Sequence, residues 1–212
     1  GGLYFLFSII FLIDIYDESL KRSLTNFISL NNSEIIKQTV KVFILYCLLT
    51  FFIFIILELI GLRTFNSVNL ALTLISSGGF LPFNDISVIL NTDFQKIVFS
   101  ILMLVSFFSI FFIYNLILFK NRDKNFFYED YNLLLYVIIL VLVFLLFFGY
   151  NNNFINIVFS IFSSISNIGI SLDSDLTNLH FIFLILVIIG GSFFSTSSGL
   201  RFIKIYSLII FY

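Results

Sequence analysis

Two short stretches of this chain combine the residue types suited to holding a dehydrated cation: Ser76-Ser77-Gly78-Gly79 and Ser166-Asn167-Ile168-Gly169. Glycine permits the backbone angles that turn successive carbonyls toward one side, and serine hydroxyls can extend such a row of oxygens. The first stretch meets this requirement fully. The second meets it less completely, with Ile168 intruding among its polar residues. Gly79 and Gly169 lie 90 positions apart, and acidic residues follow each stretch: Asp85 and Asp93 in one case, Asp173 and Asp175 in the other. Carboxylates at a pore mouth raise the local concentration of cations. An ordinary turn between helices uses the same Ser and Gly residues, but its recurrence after a second short apolar segment on the same side favours a pair of pore loops.

The elements that must position these loops are apolar. Hydrophobic residues make up 60% of the chain and charged residues 11%, with a mean hydropathy of +1.12. A soluble domain carries about 25% charge, so the composition predicts an integral membrane protein. Runs from Val42 to Leu57, Ile97 to Leu118 and Leu133 to Phe148 approach the roughly 17 to 25 residues of a spanning helix. They lack the alternation of a membrane β-strand. Lys21, Arg22, Lys37 and Lys41, then Lys120, Arg122 and Lys124, mark two polar stretches as cytoplasmic. The segments around 61–95 and 149–180 then face outward. Within them Phe65–Ile75 and Phe154–Ile165, as helices, extend only roughly 16 to 18 Å, about half the hydrocarbon thickness. They can enter and return but not cross. Non-helical chain at membrane depth survives only where it is buried or lines a water-filled path, and carbonyls facing a path gain a partner when a cation passes.

A third signal follows the apolar segment Phe181–Ile189. Residues Gly190-Gly191-Ser192-Phe193-Phe194-Ser195-Thr196-Ser197-Ser198-Gly199 interrupt it, and Arg201 and Lys204 lie just beyond. Helix-packing motifs place small residues on one face every fourth position. A consecutive run instead predicts a broken membrane helix, with Gly191, Ser195, Thr196, Ser197, Ser198, Gly199 and Arg201 in a gate loop. Arg201 either holds that loop through its carbonyls with a planar fork of donors or anchors the cytoplasmic edge.

At these residues the chain resembles the superfamily of potassium transporters that includes TrkH, KtrB and the plant HKT proteins, most closely the bacterial TrkH type. Thr73 to Phe80 followed by Asp85 resembles the family's Ser-Thr-x-x-x-Gly-Gly-Phe pattern. Gly190 to Lys204 resembles Gly-Gly-x-x-Gly-Ser-Thr-Gly-Gly-Gly-x-Lys-x-x-Arg without a gap, identical at Gly190, Gly191, Ser195, Thr196 and Gly199. The resemblance implies an all-α membrane protein of repeated helix–pore loop–helix units, potassium-channel-like, with an incomplete set of the expected four. Residues 1–40 would be the second helix of unit one and a linker, 41–131 the second unit and a linker, and 132–212 the third unit with its broken helix. It further implies potassium uptake, a homodimer in membrane lipid, a cytosolic nucleotide-binding regulatory subunit of the TrkA or KtrA type, and a bacterial inner membrane. Departures are Phe193, Phe194, Ser197 and Ser198 at positions where the family uses small residues or Gly, Ile170 for Phe, and Asn167 near a usual Thr. Gly79 and Gly169 keep the two filter glycines, which in this resemblance favours potassium, while the first unit's filter position, which bears on sodium against potassium, falls outside this chain and leaves sodium permeation by the same kind of protein as an alternative.

A proton-pumping or redox membrane subunit is another alternative. It requires ionisable groups deep in the bilayer, and only Glu58, with Arg63 five positions later, approaches that. Net charge is -1, which gives no basic surface for nucleic acid. Cys47 sits alone in an apolar run, expected as a small packed residue, and His180 has no second His for a metal site. No enzyme chemistry and no cofactor is expected; potassium is the transported ion. The chain opens on Gly1-Gly2-Leu3 and closes on apolar residues, which reads as a piece of a longer protein.

Overall fold

The structure, a computed structural model, describes residues 35–83, 85–109, 128–148, 153–172, 180–192, 195–202, 204, 205 and 208. The helix expected near the start of residues 1–40, the basic residues Lys21, Arg22, Lys120, Arg122 and Lys124, the acidic Asp173 and Asp175, and Phe193 and Phe194 lie outside the described residues. Two compact units divide the chain, residues 1–48 and 49–212. Of the first, only the opening part of a helix is described.

Six α-helices make up most of the described residues: α1 (Ile35–Leu59), α2 (Thr64–Ser76), α3 (Asp93–Phe107), α4 (Tyr128–Phe148), α5 (Phe154–Ile165) and α6 (His180–Ile188). A single 3-10 turn, Ile86–Val88, lies before α3. Along α1, Leu45, Leu49, Ile53 and Leu57 recur every fourth position and are buried, the stripe that 3.6 residues per turn aligns. Cys47 falls between those positions and is exposed, which corrects its expected packing.

Among the described residues, one helix holds a window long and apolar enough to cross a bilayer, the 18 residues Asp130–Phe147 of α4. The apolar part of α1, Phe43–Leu59, and the whole of α5 are shorter. From Asp130 onward, the exposed residues of α4 are all apolar or aromatic: Tyr131, Leu134, Leu135, Ile138, Ile139, Leu142, Val143, Leu146 and Phe147. A helix on the surface of a soluble domain turns charged and polar residues outward, and α4 does the opposite.

In the second unit, α5 is the hub. It packs against α3, α4 and α6, and α3 also packs on α2. Phe159 of α5 stacks on Phe99 of α3 with ring centroids 5.9 Å apart, both rings fully buried. Phe144 of α4 stacks on Phe183 of α6 at 5.8 Å. Helix α3 starts at a capping box: Thr92 Oγ1 accepts from the Gln95 backbone N–H, and the Gln95 side chain accepts from the Thr92 N–H. Gln95 Nε2 also donates to the Ile60 carbonyl at 3.1 Å, fixing the start of α3 to the end of α1.

Helix α3 does not continue through the apolar run expected from Ile97 to Leu118. It ends at Phe107, and Phe108 is extended. The carbonyls at this end have tertiary partners. Ser192 N–H donates to Phe107 O, and Thr196 and Ser197 N–H both donate to Ser106 O, each at 3.0 to 3.1 Å. Apolar periodicity carries no information about such partners, so the sequence did not reveal the break. Helix α6 ends at Ile188, followed by β1 (Ile189–Gly190), which pairs in parallel with β2 (Leu200–Arg201) in the register Ile189 with Leu200 and Gly190 with Arg201. Helix α6 thus stops where the run of small residues begins. The strand pairing that closes the loop was not foreseen.

Candidate functional site

The half-length segments form helices close to the expected limits, Thr64–Ser76 and Phe154–Ile165. Both end in the same turn. After α2, Ser77 N–H donates to Leu74 O and Gly78 N–H to Thr73 O; after α5, Asn167 N–H donates to Ser164 O and Ile168 N–H to Ser163 O. Each pair is the double bond of a Schellman motif, with its left-handed residue at Ser77 or Asn167. The φ angles are +51° and +58° there, then +68° at Gly79 and +74° at Gly169. Left-handed residues at alternate positions reverse the chain repeatedly, and both stretches do this at corresponding positions.

The two turns meet. A Cβ built on Gly79 would collide with the backbone carbonyl of Ile168, whereas one on Gly169 would meet nothing within 4 Å. Glycine at position 79 therefore serves both the backbone angle and the close approach of the second loop. Ile168, expected to intrude, is buried and contributes its carbonyl to this junction. Thr73 Oγ1 donates to the Phe80 carbonyl at 2.6 Å and braces the first loop.

The serine hydroxyls divide into two kinds. Ser76 Oγ donates to Leu72 O and Ser166 Oγ to Phe162 O, each at 2.6 Å; these two are used by their own helices. Ser77 Oγ and Asn167 Oδ1, at corresponding positions of the two turns, are buried and without a hydrogen-bond partner. A buried polar atom left unpaired costs about 1–3 kcal/mol, and both turns carry that cost at the same position. Among the described residues no group of three or more His, Cys, Asp or Glu comes together. The oxygens that the two turns carry are neutral carbonyl, hydroxyl and amide groups. Asp85 and Asp93, which follow the first loop, are exposed.

The described residues among those expected in the gate loop pack closely together. Gly191 is buried, and a Cβ there would collide with Phe107 O and lie 2.6 and 2.7 Å from the hydroxyls of Ser197 and Ser195. Gly191 N–H donates to Ser197 Oγ at 3.0 Å, and Ser195 and Ser197 hydroxyls are 3.1 Å apart. Arg201 Nη1 reaches Ser195 Oγ at 3.0 Å, Ser197 O at 3.1 Å and Ser192 O at 3.2 Å. Of the two roles open to Arg201 in the sequence, holding the loop through its carbonyls is the one this geometry serves. Thr196 lies on the end of α3, and Ser198 and Gly199 lead into β2, with Gly199 at φ +93°. A link also runs from the second turn to this knot: Asn167 Nδ2 donates to Ser198 O at 2.8 Å.

One residue of the site escaped the sequence reading. Asp130, buried in the first part of α4, accepts from the Ser109 backbone N–H at 3.0 Å. The Ser192 hydroxyl lies beside the same carboxylate without meeting hydrogen-bond geometry. Asp130 thus receives the chain where α3 ends and borders the loop at Ser192. The local signal was the acidic pair Glu129-Asp130 at the entry to an apolar run, which the mixed-charge neighbourhood of 120–130 concealed. Glu58 and Arg63 are both exposed and take no part in the site.

Comparison with protein families, with curated proteins and with solved structures finds no match to this chain.

Proposed function

We propose that this chain forms part of the wall of a cation pore and that potassium is the permeating ion. The observation that carries the reading is the pair of matching turns 90 residues apart, each at the end of a half-length helix, that converge where Gly79 meets the Ile168 carbonyl. Neutral oxygens are the ligands that replace the water of a monovalent cation, whereas sites for hard divalent ions gather carboxylates. The outward apolar face of α4 is suited to lipid; in the multi-pass arrangement proposed, α2 and α5 enter and return. Each turn with its flanking helices is then one repeated helix–pore loop–helix unit. The knot between Gly191 and Arg201 is an intramembrane gate, held shut by Arg201 and by the end of α3. No covalent step is involved. The homodimer, the nucleotide-binding regulator and the bacterial inner membrane belong to the same proposal through the resemblance of the Gly190–Lys204 motif.

The test is rubidium influx into cells that lack their own potassium uptake and express the intact gene product or its Gly79→Asp variant at equal membrane abundance. Influx in the first and none in the second supports the pore. Equal influx in both refutes it. Sodium influx that depends on Gly79 without rubidium influx would select the sodium alternative.

A further inference from the structure

A cavity of about 260 Å³ lies between α2 and the chain that returns from the first turn. It opens on one side and is lined by Asn69, Leu72, Thr73 and Ser76 of α2 and by Phe80 and Pro82 of the returning chain. Sites for drug-sized ligands measure roughly 300–1,000 Å³, so the occupant that fits here is small. The character of the wall follows from where its protons go. Thr73 Oγ1 donates to the Phe80 carbonyl and Ser76 Oγ to the Leu72 carbonyl, each at 2.6 Å. A hydroxyl has one proton, so these two groups retain only lone pairs. Asn69 Nδ2 donates to the Phe65 carbonyl at 2.7 Å, which assigns Oδ1 as the amide's acceptor and leaves it one further N–H.

Three neutral acceptors against one donor suit a group that brings several N–H donors of its own. Neighbours on one helix face lie about 5–6 Å apart at their Cβ atoms, close to twice an N–H···O distance of about 2.9 Å, so one ammonium can bridge two of them. A dehydrated alkali ion needs a full shell of oxygens in place of its water, which three side chains along one helix do not supply. Among the described residues no charged side chain lines the cavity. An anion therefore finds no cation there, and a hard divalent ion finds no carboxylate. Phe80 is 82% exposed, and an aromatic face attracts a cation. Leu72 and Pro82 offer apolar surface to a short carbon stem.

We propose that this cavity binds a primary ammonium group on a short apolar stem, held by the acceptor oxygens of Asn69, Thr73 and Ser76 and by the ring of Phe80. Two sources carry that group: a free alkylamine and the ethanolamine headgroup of a phospholipid. The site does not depend on the pore reading, because binding and not flux defines it.

The experiment is thermal unfolding of the intact gene product in phosphatidylcholine nanodiscs, titrated with ethylammonium chloride or with tetramethylammonium chloride at fixed potassium and ionic strength. Ethylammonium is expected to raise Tm saturably. Tetramethylammonium, a cation without N–H groups, is expected to leave it unchanged. Asn69→Leu removes an acceptor while keeping the bulk of the side chain, and raises the half-saturating concentration about two- to tenfold, the worth of one hydrogen bond. Phe80→Leu raises it about two- to fivefold, and decides the matter should the Asn69 variant not reach the membrane. Adding phosphatidylethanolamine to the nanodisc separates the sources. A higher Tm with no further response to ethylammonium makes the headgroup the occupant, and an unaltered response makes it the free amine. Equal behaviour of the two salts in the native protein overturns the proposal. So does a response unaltered in both variants, which would place the amine elsewhere, the junction of the two turns included. Absence of Gly79-dependent rubidium influx is a separate outcome, which overturns the pore reading and leaves this site standing.

Discussion

Gly79 and Gly169 occupy corresponding positions with similar positive φ angles, yet alanine at the two sites should have very different effects. At Gly169 the new methyl group meets nothing within 4 Å. Only the left-handed backbone opposes it, at about 1–2 kcal/mol. A loss of that size, if expressed wholly in the conducting state, lowers flux by about five- to thirtyfold. At Gly79 the same backbone term applies, and the methyl also collides with the Ile168 carbonyl, with the Ile168 carbonyl carbon only 3.4 Å away. The obstacle is backbone, not the end of a flexible side chain. It is held by the Ile168 N–H bond to Ser163 O at 3.1 Å, so relief requires the two turns to separate. Close-packed interiors resist such shifts. Gly79→Ala is therefore expected to reduce rubidium influx at least about tenfold below Gly169→Ala, with both proteins quantified in isolated membranes. Equal losses in the two variants would refute the convergence of the turns at Gly79. So would native influx through Gly79→Ala.

Two further outcomes follow from the gate loop and its support. Arg201 Nη1 can satisfy two acceptors at a time among the three within 3.2 Å; for a partly exposed group this amounts to about 1–2 kcal/mol. Arg201→Gln should raise rubidium influx by about five- to thirtyfold, and a fall in influx at equal abundance would show that the loop supports conduction instead of blocking it. Asp130→Ala leaves the buried Ser109 N–H without its acceptor, at about 1–3 kcal/mol, whereas Asp130→Asn retains an oxygen in the same place. Thermal unfolding in detergent should show the larger drop in Tm for Asp130→Ala, and equal drops would mean that the charge and not the acceptor is what matters.

The half-length helices were legible because their limits are local: apolar runs of fixed length, ended by Ser and Gly. The same holds for the break after Ile188, where consecutive small residues cannot sustain a helix of apolar surface. Other features depended on partners distant in sequence. Helix α3 stops at Phe107 because N–H groups of Ser192, Thr196 and Ser197 take its last carbonyls, and nothing in the run Ile97–Leu118 encodes that. Asp130 gained its place only when α4 met Ser109, and Cys47 lost its expected burial because the packed stripe of α1 runs through Leu49 and Ile53. The sequence by itself determined helical content, the two turn positions and the loop that follows the last helix, since these follow from hydrophobicity and from the conformational range of glycine. Only the tertiary structure decided that the turns converge, which oxygens remain unpaired and that Asn167 reaches Ser198, because each of these is a contact between segments brought together by the burial of α5.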